Sequence, residues 1–187
     1  SIILILLYIY LHNLFFSKIY YEYLAIGSSL FLLGFVDDLK FRLKPSLRLL
    51  IMISILLFCI HFFSLNIKKV DLIFLDNWLR NQFFLEVFIL ICFLFVINGS
   101  NLIDGFNGLL AINLLIINFF LVILNLETNQ NFTVFLVAQI VILGIFFLFN
   151  FPKAKMFFGD SGSYLFGSLT ALNIIYSNNF NSQVSSF

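Results

Sequence analysis

The chain has 187 residues, 62% of them hydrophobic and only 10% charged, with a mean hydropathy of +1.09 and a formal net charge of +1. A soluble domain of this length cannot bury so much apolar surface, so the composition defines an all-α, polytopic helical membrane protein. Near-neutral charge without a basic block gives no support for nucleic-acid binding, and long continuous apolar runs argue against an outer-membrane barrel.

Taken in chain order, the apolar runs cover residues 1–16, 20–36, 47–65, 83–97, 109–126, 132–149 and 164–176. Six or seven transmembrane spans are therefore expected, the last short for a crossing. Between the third and fourth runs, Val70-Asp71-Leu72-Ile73-Phe74 partly alternates and suggests a short surface hairpin. Lys44-Pro45 fits a helix start before the third run. Cys59 and Cys92 fall within apolar runs and read as buried free thiols, while His12 and His61 read as span-end or packing residues. Close helix packing is expected at Gly27, Gly34 and Gly144. The chain opens at Ser1 inside an apolar run and closes in a polar tail, so residues 1–187 are expected to form a single domain incomplete at both ends.

Acidic residues interrupt this pattern at three places: Asp37-Asp38, Asp104 and Asp160. Successive clusters are separated by two apolar runs, and an even number of crossings returns the chain to the same face. All three should meet at one membrane–water interface. That face carries Lys40, Arg42, Lys44, Arg48, Lys153 and Lys155, against Lys18, Lys68, Lys69 and Arg80 on the other, which favours the acidic face being cytoplasmic.

Each cluster has its own chemistry. Asp37 and Asp38 are adjacent at a helix end and should point in different directions, so one could bind metal while the other takes a proton. In Asn98-Gly-Ser-Asn101-Leu-Ile-Asp104-Gly-Phe-Asn107-Gly108, a helical turn would place Asn98, Asn101 and Asp104 on one face. In Phe157-Phe-Gly159-Asp160-Ser161-Gly-Ser163, glycines bare the backbone and serines add hydroxyls just before a helix, where N–H groups favour phosphate. Each taken alone could be an ordinary boundary or cap. Together they supply hard oxygen ligands, phosphate-friendly loops and cations at a lipid surface, equipment suited to Mg²⁺-assisted phosphoryl chemistry on a membrane-borne substrate. No Cys/His spacing suggests zinc, and no Ser-His-Asp arrangement can be built.

The segments at 34–49, 98–109 and 157–167, in this order, resemble the polyprenyl-phosphate N-acetylhexosamine-1-phosphate transferase family, glycosyltransferase family 4. The resemblance implies that a polyprenyl phosphate, usually undecaprenyl phosphate, attacks a UDP-sugar to give polyprenyl-diphospho-sugar and UMP, for envelope polysaccharide synthesis. It implies catalytic roles for Asp37, Asp38 and Asp104, with Asp37 orienting or deprotonating the lipid phosphate. Asp160 and Asn101 would be ligands to Mg²⁺ or Mn²⁺, and Asn98, Asn107 and Ser161 would contact nucleotide-sugar or phosphate. The partners implied are the lipid and the UDP-sugar in a bacterial inner membrane, with a homodimer compatible. Leu43, Pro45, Arg48 and Leu49 resemble the branch transferring simple N-acetyl sugars more than the muramoyl-pentapeptide branch, which is the alternative. Many relatives carry an acid where this chain has Asn107, and the family continues past the third motif through further spans and a His- or Arg-bearing loop unmatched here. A transporter with an acidic cation site would place its acids near mid-span, whereas these sit at span ends. An inactive membrane fragment is the remaining reading.

Overall fold

The computed structural model describes residues 17–41, 44–70 and 72–181. The first expected span, the side chains of Arg42 and Leu43, and Asp71 lie outside these residues. All regular structure among the described residues is helical. Helix α1 (Ser17–Val36) runs into a single wide π-helical turn (Asp37–Phe41). Then come α2 (Pro45–Phe63), the short α3 (Ile73–Leu79), α4 (Gln82–Ile103), α5 (Leu109–Asn125), α6 (Gln130–Asn150) and α7 (Gly159–Phe180).

Local chemistry sets these boundaries. Pro45 occupies the first turn of α2, where a missing N–H costs nothing. That helix ends at Ser64 in the left-handed region (φ 54°), and the N–H groups of Ser64 and Leu65 close back on His61 and Ile60 carbonyls. Asn81 and Asn129 cap α4 and α6, their side chains accepting from the N–H of Phe84 and Phe132 at 3.2 and 3.0 Å. The expected hairpin is absent from the described residues. Ile73–Leu79 is helical, and the Asp76 carboxylate accepts from Val70 N–H at 2.8 Å, where a ladder bond would have formed. Five partly alternating residues with no second strand cannot hold an extended ladder.

Helices α1, α2, α4 and α6 are long and apolar enough to cross a membrane. Their outward faces carry Phe58, Phe62, Phe95 and Leu148, all well exposed, as lipid-facing surfaces should be. Helix α7 differs. Expected over 164–176, it extends at both ends to 22 residues, enough for a crossing. Its Ser163, Ser168, Thr170, Asn173 and Ser177 are all buried, because α7 sits inside the bundle against α1, α4 and α5. The Asn173 amide accepts from Tyr23 Oη at 2.8 Å and donates to Asn118 at 3.0 Å and Gln139 at 2.8 Å, joining α7 to α1, α5 and α6. One or two turns further on, Asn125 donates to Ser177 Oγ and accepts from Asn181.

Small residues set the close contacts. A Cβ on Gly34 would lie 2.5 Å from the Asp160 carbonyl and Ser161 N, and one on Gly27 would lie 3.2 Å from Leu165. Gly167, unremarked in the sequence, would bring a Cβ to 3.0 Å from Ile97 Cα of α4. Gly144 corrects the expectation: nothing lies within 4 Å of a Cβ built there, so its face is open and it makes no close helix contact. Cys59 and Cys92 are free thiols, the first buried and the second partly so. Gly34→Ala should therefore lower the melting temperature in detergent, by about 1–3 kcal/mol of stability, because backbone must move to admit the methyl. Gly144→Ala should leave it unchanged or slightly raised. Equal effects would show that α1 and α7 are not in the contact described.

Candidate active site

Helix direction brings the three acidic segments together. Helices α1 and α4 run toward one end of the bundle and finish at Asp37 and Asp104, and α7 starts there. The π-helical turn after Val36 splits the two adjacent carboxylates. Asp37 faces α2 and receives Arg48 Nη1 at 2.7 Å. Asp38 faces the start of α7, where one oxygen accepts from Asp160 N–H at 3.0 Å and the other from Ser161 N–H at 3.0 Å and Ser161 Oγ at 2.6 Å.

Asp104 does the same from α4. Its two oxygens accept from Phe158 N–H at 3.3 Å and Gly159 N–H at 3.0 Å. Four successive N–H groups at the α7 N-terminus, residues 158–161, are thus taken by two carboxylates from distant segments. These are the orphan donors of a helix start, and the helix dipole favours negative charge there. Gly159 must be glycine: its φ is +68°, and a Cβ would lie 3.0 Å from the Asp38 carboxylate. Phe158 anchors the turn by stacking on Phe146 and meeting Phe166 edge-on.

The N–H groups expected to cradle phosphate are therefore occupied by the protein's own acids, and Ser161 gives both its N–H and its hydroxyl to Asp38. Asp160 instead points at the neighbouring acid. Its carboxyl neighbours that of Asp37, and Arg48 Nη1, which bonds Asp37, also reaches it at 3.4 Å. Asn101 also bonds Asp160, while its amide oxygen accepts from Ser163 Oγ at 3.0 Å. Asn101 thus stands between Ser163 and Asp160, and its oxygen, with two lone pairs, keeps acceptor capacity beyond the Ser163 bond. Asn98 lies one turn earlier on the same face and donates to the Leu94 carbonyl at 2.8 Å. Asn107 stands apart, in the loop after α4, donating to the Pro152 carbonyl at 3.2 Å. Lys44, Lys153 and Lys155 are exposed at this end. His61 is exposed on α2 and meets Glu86 of α4 at 3.2 Å, outside this group of acids.

Beside the acids lies a cavity of about 720 Å³ between α2 and α4, with Arg48, Asn98 and Asn101 at its polar end and Leu94, Phe95 and Leu102 among its apolar walls. The residue that sequence reasoning undervalued is Arg48, treated there as one of several interfacial cations. An arginine in the first turn of an apolar span needs a partner, and that signal pointed to the acids. The Asp37–Asp160 pair, with Arg48 displaced, could hold a hard divalent cation in a site completed by phosphate oxygens and water. Among the described residues no three acidic, His or Cys side chains converge into a cage by themselves.

The comparisons with known proteins place the chain in a family. Residues 20–178 match the model of a family described as glycosyl transferase family 4, and the chain belongs to that family. It is 30% identical over 175 residues to a phospho-N-acetylmuramoyl-pentapeptide-transferase of Dictyoglomus turgidum, an alignment covering 87% of this chain and 54% of the relative. Proteins of the same name from Listeria innocua and Clostridium beijerinckii are each 31% identical, covering 76% and 80% of this chain and 48% of each relative. The chain thus spans about half the length of these relatives. No solved structure matches it.

Two outcomes follow from the geometry. Asp38→Ala strips the acceptors from two N–H groups and a hydroxyl, so it should destabilise the protein by about 1–2 kcal/mol, measured by denaturation in detergent; Ser161→Ala should cost clearly less. Burial raises the Asp104 carboxyl above its ordinary 3.8, opposed by the Phe158 and Gly159 N–H bonds and reinforced by the charge of Asp38. A carboxyl whose folded value is raised contributes stability in full below its unfolded value, lost as pH rises through the folded one. Wild type should therefore lose stability as pH climbs from about 3.8 through that raised value, and Asp104→Asn should flatten this part of the profile; an unchanged slope would assign it to another group.

Proposed function

We propose that this chain supplies the acidic core of a membrane enzyme that transfers a sugar-1-phosphate from a UDP-sugar to a polyprenyl phosphate. The observation that carries this reading is the meeting of Asp37-Asp38, Asp104 and Asp160 at one end of an apolar helical bundle in a chain of this family. A phosphate oxygen of the lipid attacks the phosphorus attached to the sugar. The bond from that phosphorus to the UMP oxygen breaks, giving polyprenyl-diphospho-sugar and UMP. Both reactants are anionic, so their approach requires positive charge.

Roles divide along the geometry. Asp37, held by Arg48 beside Asp160, orients the lipid phosphate, accepting its proton where it carries one. Asp160, beside Asp37, is the second carboxylate toward a cation, with Asn101 steadying it. The donor set fits Mg²⁺ or Mn²⁺, which take one or two carboxylates with substrate phosphates and waters. When bound, such an ion would neutralise the phosphates as they meet. Asp38 and Asp104 fix the α7 N-terminus and so the position of Asp160. Asn98 and the exposed Lys44, Lys153 and Lys155 are placed to meet nucleotide-sugar phosphate, with Ser161 and Asn107 contributing only where they exchange their present partners. The interface lets the lipid enter from the bilayer and the nucleotide from water, on the cytoplasmic side of a bacterial inner membrane by the Lys/Arg count.

Two donors are in play. The name shared by the relatives favours phospho-N-acetylmuramoyl-pentapeptide as the group transferred, whereas Pro45, Arg48 and Leu49 resemble the branch handling simple N-acetylhexosamines. The test is exchange of labelled UMP into UDP-N-acetylglucosamine and, separately, into UDP-N-acetylmuramoyl-pentapeptide, in membranes holding the full-length protein. Exchange that requires both undecaprenyl phosphate and Mg²⁺ is expected with one of them. Asp160→Asn should abolish it, and Asp37→Asn should cut turnover more than nucleotide-sugar binding. Folded full-length protein that exchanges neither donor would overturn the transferase reading.

A further inference from the structure

Tyr164 lies on α7 one turn beyond Asp160 and is fully buried. The Arg48 guanidinium carbon lies 5.7 Å from the centre of its ring, within the range of a cation–π contact. Its hydroxyl has no hydrogen-bond partner among the described residues. A buried phenol with an unused hydroxyl contributes the face of its ring, and that face is turned to Arg48, which among the described residues is the cation that touches both Asp37 and Asp160. The charged groups around it are Asp160, Arg48, Asp37 and Asp38.

We propose that Tyr164 is a positioning residue that holds Arg48 against Asp37 and Asp160, and that the held guanidinium competes with a divalent cation for those two carboxylates. The inference rests on the cation reading given above. Arg48 Nη1 contacts one oxygen of each acid, at 2.7 and 3.4 Å, the same side-chain atoms a cation would need. Two neighbouring carboxyls cannot both stay ionised without a positive partner, the alternative being a shared proton, and among the described residues Arg48 is the cation that contacts both. A cation entering between them displaces Nη1. The released guanidinium stays at the mouth of the 720 Å³ cavity that Arg48 itself lines, where its fork suits an arriving phosphate. The arginine is thus a placeholder at the acids before the cation arrives and an anion-binding group afterwards. Tyr164 sets how firmly the placeholder sits.

The consequence runs against intuition for a core substitution. Loosening Arg48 leaves the carboxylates freer, so the cation should bind more tightly although the core is poorer. The experiment is a Mn²⁺ titration of the full-length protein in detergent, reading the free ion by electron paramagnetic resonance, with the melting temperature of each variant taken first. Tyr164→Leu should lower the Mn²⁺ dissociation constant about three- to ten-fold, the range of one partly shielded cation–π contact. Tyr164→Phe keeps the ring and should stay within about two-fold of wild type. In an Arg48→Ala background, Tyr164→Leu should have no further effect. Where the leucine variant does not fold, Tyr164→Met carries the same expectation. Unchanged or weaker Mn²⁺ binding in the leucine variant, or a phenylalanine variant that behaves like it, would overturn the role given to the ring. Wild type that holds no Mn²⁺ yet exchanges UMP would instead overturn the cation reading, and this inference with it.

Discussion

The N-terminus of α7 is the constraint on which the site depends. Four N–H groups there have no partner within the helix, and this end of the bundle is built to satisfy them with carboxylates. Asp38 arrives from the end of α1 and Asp104 from the end of α4, so one helix start ties together segments more than fifty residues apart on one side and more than a hundred on the other. The contact is also steric. Gly34 lets the α1 backbone reach Asp160, and Gly159 lets Asp38 reach the turn. Two carboxylates placed against a helix N-terminus are held by dipole and hydrogen bonds, without a metal. The remaining pair, Asp37 and Asp160, is held by Arg48. The acids therefore fall into two kinds: those that accept from the α7 N-terminus, and those that, among the described residues, are paired with Arg48.

That division was only half legible in the sequence. Parity of the apolar runs placed all three clusters at one face, because counting crossings needs no knowledge of packing, and the contacts of Asp38 and Asp104 with residues 158–161 bear this out. Adjacency of Asp37 and Asp38 at a helix end correctly implied divergent directions. What the pattern could not show was which acid meets what. Glycine and serine before a helix read equally well as a phosphate cradle and as a turn that receives carboxylates, since both use the same N–H groups. Only the approach of α1 and α4 decides between them. Asn101 is a similar case: a metal ligand and a bracing amide carry the same side chain at the same helical spacing, and an oxygen with two lone pairs can accept from the Ser163 hydroxyl and still serve as a ligand.

Helix α7 shows the other limit of hydropathy. The run read as thirteen residues because Gly159–Ser163 and Ser177-Asn178-Asn179 bound it, and the Ser168, Thr170, Asn173 and Ser177 that lower its hydropathy are what make α7 the interior helix. In lipid, helices gain little from apolar contact with one another, so small residues and interhelical hydrogen bonds specify the packing. Tyr23, Asn118, Gln139 and Asn173 form such a set across four helices. Reading polar residues within a span as partners to be found elsewhere, and not as weaknesses of the span, would have identified α7 as central. Gly144 errs in the opposite sense: a glycine with the right composition around it but open space beside it, which no single sequence can tell from Gly34.

The position of the acids at the bundle's end follows from the same economy of charge. An ionised carboxylate at mid-span would face hydrocarbon and could be balanced only by another buried charge. At the end of the bundle, the helix N-terminus offers two of them backbone donors already needing acceptors, and Arg48 balances the others. Asp37 and Asp160 can then change partners, which a fully buried pair could not do without leaving a charge stranded. Their arginine sits in the first turn of its span, anchored by an aromatic face below and open to the cavity beside it. Asp37 and Asp160 thus form the more loosely balanced pair of the site. The firmly capped pair, Asp38 and Asp104, keeps it in place.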